Sequence, residues 1–201
     1  MAKPNCLALA AEMIAMQQAD LDLRNRLIES GELFGGYHKE MEALHLKNAE
    51  GLESIIDQIG YPTIEKVGSE ASQAAWLIIQ HAISRPDFMK KCWDLLEQAV
   101  TEKQADPKDL AYLSDRIAAF EGRPQLYGTQ FDWDEDGHMS PKAYDDLITV
   151  NERRKAMGLN TLEEQTKIMR AQAEKDGEQV PEDMERRKRD YESWRKRVGW
   201  C

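Results

Sequence analysis

The sequence has no run of about 18 apolar residues, the length a helix needs to cross a bilayer, so no membrane span is expected. Cysteine is scarce. Cys6, Cys92 and Cys201 are odd in number, far apart and form no CxxC or Cys/His pair at metal-ligand spacing, which disfavours a disulfide framework or a structural zinc site and fits reduced thiols in a cytoplasm. Positive charge is also short. With 27 Lys+Arg against 37 Asp+Glu the formal net charge is −10, which argues against a general binder of nucleic acid or of anionic membranes. A leader is not expected either: "CLALAAEMIAMQ" is interrupted by Glu12, preceded by Lys3 alone and followed by no small-residue cleavage site.

What is present suits a packed helical protein. The 201 residues allow one domain with a core, and 41% hydrophobic content keeps that core possible despite 32% charged residues. Apolar residues recur at helical spacing from Pro4 to about Ser30 and from about Tyr37 to Gln58, with glycines after each: Gly31, Gly35 and Gly36, then Gly60. "YPTIEKVG" reads as a connector. "AAWLIIQHAI", within a helix over 69–84, is apolar on nearly every side, as a central helix must be. Helices over 86–103 and 107–121 follow, the second stopped by Gly122 and Pro124. Tyr127, Phe131 and Trp133 around a Glu-Asp-Gly turn predict a β-hairpin. Helices over 145–157, 161–176 and 182–198 complete the chain, the middle one opening with a Thr161–Glu164 capping box.

The expected fold is therefore all-α. It comprises a helical domain over 1–176, with about seven to eight helices and one small β-hairpin near 127–140, and a basic helix over 177–201 appended to it. That terminal stretch, "ERRKRDYESWRKRVGWC", carries seven Lys/Arg against three Asp/Glu, or +4, leaving −14 for the rest. It is suited to docking on the acidic body or on a protein partner.

Polar residues in apolar helices are the candidates for chemistry. Gln80 and His81 end the most apolar helix, either as a hydrogen-bonded core pair or as the floor of a pocket. Arg116 flanks the apolar stripe of the 107–121 helix and Asp115 is turned roughly 100° from it; an inward Arg116 offers a planar fork for an anion, and Asp115 could orient His81. Gln125, Tyr127, Thr129 and Gln130 crowd around Gly128 as one wall of such a pocket. "DWDEDGH" places Asp132, Asp134, Asp136 and Gly137 like an EF-hand, but Ala143 stands at the twelfth position, so it reads as a solvated acidic turn. His45 and His81 with an acidic residue could build a metal site, yet no Glu-x-x-His pair supports one, and no metal or other cofactor is assigned.

"GYPTIEKVGSEASQAAWLIIQHA", "YLSDRIAAFEGRPQLYGTQF" and "VNERRKAMGL", in this order, resemble a bacterial family known as domain of unknown function 6624, over residues of about 45–170. The resemblance carries Asn48, Gly60, Pro62, Trp76, Gln80, His81, Asp115, Arg116, Gln125, Tyr127, Gly128, Thr129 and Gln130 as motif positions. His45 stands where an acidic residue is common, and Tyr61 where tryptophan is frequent. The family implies a shared site and no reaction. Two readings follow. In one, His81 and Asp115 do acid/base-assisted hydrolysis or group transfer on a small polar or anionic ligand, held by Asn48, Gln80, Arg116, Gln125, Tyr127, Thr129 and Gln130 with water as nucleophile. In the other, the same residues form a structural network in a non-enzymatic interaction module.

Overall fold

The computed structural model describes residues 5–32, 37–177 and 179–201. Pro4 as a helix start and Gly35–Gly36 as a stop lie outside them. The chain gathers into two compact units, Met1–Asp106 and Pro107–Cys201. Both are mainly helical, and no helix among the described residues is long and apolar enough to cross a membrane.

In the first unit, α1 (Cys6–Glu29) starts where the Asn5 side chain accepts from the Ala8 N–H, and Gly31 at φ 74° follows its end. α2 (Lys39–Ile59) is capped by His38, and Gly60 at φ 71° closes it. The segment expected as a connector contains a single helical turn, α3 (Ile64–Val67). Glycines at φ 71° and 83° bracket that turn, and Lys66 Nζ folds back onto the Ile59 and Tyr61 carbonyls at 2.7 and 3.0 Å. A pattern too short for periodicity hid it.

α4 (Ser69–His81) touches α1, α2, α3 and α5 (Pro86–Thr101), so it is the central helix its apolar sequence predicts. Ala71, Ala74 and Ala75 are buried on it beside Ile78 and Ile79. Met13 and Leu27 from α1, Leu52, Ile55 and Ile56 from α2, and Phe88, Met89, Cys92 and Leu96 from α5 are also buried. α1 and α2 approach closely at Gly51, where a Cβ would stand 2.6 Å from Met16 Cε.

The second unit opens with α6 (Pro107–Glu121). A loop leads to the hairpin β1 (Phe131–Trp133) and β2 (Met139–Pro141), antiparallel with Asp132 opposite Ser140. α7 (Leu147–Ala156) and α8 (Leu162–Lys175) follow, the latter with both halves of the Thr161–Glu164 capping box formed. α9 (Met184–Val198) ends at Gly199 in the left-handed conformation. It is held within this unit: Phe120 stacks on Trp200 and meets Trp194 edge-on, Arg195 donates to the Phe120 carbonyl, and Arg187 pairs with Asp132 at 2.7 Å.

Candidate functional site

A buried charge is tolerated only where partners replace its water, so buried ionisable side chains show where the chain has spent polar contacts. In the first unit, Asp20 is fully buried. It falls seven residues after Met13 and seven before Leu27, two helical turns each way, and so lies on the core stripe of α1. His45 occupies the equivalent stripe of α2, four residues after Met41 and seven before Leu52. His81 is the last residue of α4. Three helices thus bring one carboxylate and two imidazoles together.

His81 Nδ1 lies 2.8 Å from Asp20 Oδ2, and His45 Nε2 lies 3.0 Å from the same oxygen. The two rings are 4.8 Å apart. On its far side, His45 Nδ1 is 2.7 Å from the Tyr37 hydroxyl. Exposure differs sharply: the His45 side chain is 8% exposed and that of His81 28%, so His81 is the member solvent reaches. Burial pushes the Asp20 carboxyl up, but the two imidazoles outweigh it and hold the group well below the usual carboxylate range. The contacts are not all hydrogen bonds. His45 Nε2 is within ion-pair distance yet unaligned for donation, and Asp20 Oδ1 is buried without a hydrogen-bond partner among the described residues.

Of the residues singled out from sequence, Asn48, Gln80 and His81 belong to this unit. Asn48 donates to the Met16 carbonyl at 3.1 Å and ties α2 to α1; Gln80 is half-buried beside His81. The carboxylate on His81 Nδ1 is that of Asp20, a residue the sequence reading passed over. Its signal was the heptad position between Met13 and Leu27.

Arg116, Asp115 and the 125–130 loop belong to the second unit. Asp115, fully buried, spends both oxygens on that loop: Oδ1 accepts from the N–H groups of Leu126 and Tyr127 at 2.8 and 3.1 Å, and Oδ2 from Thr129 at 2.8 Å. Burial raises its pKa against the lowering effect of these three donors. Gln125, also fully buried, donates to the Gln130 and Lys142 carbonyls and accepts from the Gln130 N–H. The Gln130 amide reaches Thr129 Oγ1 at 3.1 Å. Arg154, 2% exposed, donates to the Tyr127 carbonyl at 2.7 Å and to the Asn160 carbonyl and side chain. Sequence reasoning missed this arginine. Arg116 is half-buried, and burial lowers its pKa.

The acidic turn, read from sequence as solvated, bonds largely within itself. Asp134 Oδ1 accepts from the Asp136 and His138 N–H groups, and Oδ2 from the Ser140 hydroxyl.

The model of a family described only as of unknown function, DUF6624, matches residues 7–175. No curated protein and no solved structure matches the chain.

Proposed function

The chain belongs to the DUF6624 family of unknown function, and from its own residues we propose that the first unit carries a water-activating centre at Asp20, His45 and His81, acting in hydrolysis of, or group transfer on, a small polar or anionic ligand. The observation that supports this reading is a buried carboxylate held 2.8 Å from Nδ1 of a histidine that solvent reaches. A carboxylate on Nδ1 fixes the tautomer and leaves Nε2 as the proton acceptor, and it balances the imidazolium that forms when a proton arrives. His81 would exchange the proton, Asp20 would orient and balance it, and His45 would hold the carboxylate from the other side. With no nucleophile motif in the chain, water is the attacking group.

In the second unit the observations favour the structural reading. Asp115, Gln125 and Arg154 are each bonded to loop backbone, which supports a role in holding the conformation of residues 125–130.

The test is a turnover screen of the full chain on small esters, phosphoesters, amides and glycosides, with and without divalent ions, alongside His81→Ala. Loss of an acid/base group predicts a fall of roughly 100- to 10,000-fold in rate. Because His81 is a partner of the fully buried Asp20 carboxylate, the variant should also melt at a lower temperature, and the rates are compared where circular dichroism shows it folded. No turnover by the native chain on any substrate class, with or without divalent ions, would refute the reading.

A further inference from the structure

We infer that Asp20, His45 and His81 form a site for one divalent transition-metal ion of the zinc class. Two imidazole nitrogens and a carboxylate oxygen, from three different helices, all lie within 4.8 Å of one another. That donor set selects borderline ions such as zinc or cobalt; calcium and magnesium prefer oxygen alone.

The hydrogen-bond pattern points the same way. If His45 Nδ1 donates to the Tyr37 hydroxyl, its Nε2 turns a lone pair toward Asp20 Oδ2 at 3.0 Å, and two acceptors are in contact. Such a pair is stable only with a positive species between the atoms. If Tyr37 donates instead, Nε2 carries the proton, yet it is not aligned for donation. Asp20 Oδ1, fully buried, adds a second acceptor with no hydrogen-bond partner among the described residues. An ion between the three ligand atoms supplies the positive species at Oδ2, and a bidentate carboxylate would bring Oδ1 onto it as well. Two ligands on a tetrahedral zinc stand about 3.4 Å apart, so the observed 2.8 and 3.0 Å need to open by about 0.6 and 0.4 Å.

The surroundings resemble a working metal site. Tyr37 supplies the outer hydrogen bond that fixes the tautomer of a metal-bound histidine. Partial exposure of His81 puts one ligand within reach of solvent, as suits a catalytic site that keeps a water and unlike a closed structural one. One carboxylate under a doubly charged ion leaves the centre net positive, which suits an anionic ligand. By contrast, the oxygens of Asp134 in the acidic turn are already occupied, and that turn is mostly exposed.

The inference rests on the water-activating reading and changes what activates the water. With the ion bound, His81 becomes a ligand, and the metal lowers the pKa of the water toward about 7.

The test uses the full chain without a polyhistidine tag, stripped by chelator and titrated with Co²⁺ followed by visible absorption, and with Zn²⁺ by calorimetry. The expected result is a single equivalent with the d–d bands of a low-coordinate cobalt site. His81→Ala and the isosteric Asp20→Asn should each weaken binding by roughly 100-fold or more, and Tyr37→Phe by about 10- to 100-fold. Absence of cobalt bands in the native chain overturns the inference, whatever the variants do. Binding that survives His81→Ala but is lost in His138→Ala places the ion at the acidic turn and also overturns it. Turnover that persists in chelator, without cobalt binding, removes the metal and keeps the water-activating reading. Cobalt binding at the three ligands with no turnover on any substrate class keeps the metal and removes that reading.

Discussion

Gly128 shows how a motif residue can be set by backbone and space together. It sits at φ 63°, in the left-handed region, and a Cβ there would meet Leu162 Cδ1 at 2.8 Å. Asp115 and Arg154 hold the residues on either side: the carboxylate takes the N–H groups of Tyr127 and Thr129, and the guanidinium donates to the Tyr127 carbonyl. The loop cannot relax away from an added methyl group without giving up buried hydrogen bonds. Gly128→Ala should therefore cost about 1–3 kcal/mol, from left-handed strain and overpacking together. A urea melt would read this as a lower midpoint at unchanged slope. A midpoint equal to the native one would mean that Leu162 swings aside and that the loop tolerates the strain.

At the scale of elements, terminal signals proved more legible than long-range partners. Gly31 and Gly60 each follow a helix at positive φ, Pro86 opens α5, and Thr161 and Glu164 form their capping box, because caps are local chemistry that a few residues write out in full. The hairpin was readable from Phe131 and Trp133 around a glycine turn. Asp20 was not. Its meaning depends on His45 and His81, 25 and 61 residues away, and one charge on the weakly amphipathic α1 looks like a solvated one. Asp115 was no more legible: the stripe of α6 turned it away from the core face, and the loop N–H groups that offset its burial lie 11–14 residues on and were invisible in the pattern. α9 gives the prediction at this scale. Burial pushes the Asp132 carboxyl up, but Arg187 and Lys142 outweigh it and depress the pKa below 3.8. A depressed pKa contributes stability that is complete above the unfolded value of 3.8 and is lost as pH falls through the folded value. The stability advantage of the native chain over Asp132→Asn should thus be level above about pH 4 and shrink on acidification. Near-UV circular dichroism of the Trp194 and Trp200 cluster during urea melts at each pH would follow it. An advantage that grows at low pH would contradict the Arg187–Asp132 anchor.

At the scale of the whole chain, each unit has its own core and its own polar hub. The first is built on α4, with Ile78 and Ile79 buried on it and the Asp20 centre at its C-terminal end. The second is organised around Asp115, Gln125 and Arg154, with Val150 and Leu162 buried. Opening free energies follow local packing, so a cavity made in one core should be felt first by the amides of that unit. Leu162, 2% exposed, is a suitable probe: truncation to alanine removes apolar contact at the start of α8 and against Gly128, at a cost of about 2–5 kcal/mol. Native-state hydrogen exchange of Leu162→Ala should then show faster exchange through α6, α7 and α8, while the central amides of α4 keep their native rates. Equal acceleration in α4 would mean that the chain opens as one cooperative body and that the two clusters of contacts do not correspond to two folding units.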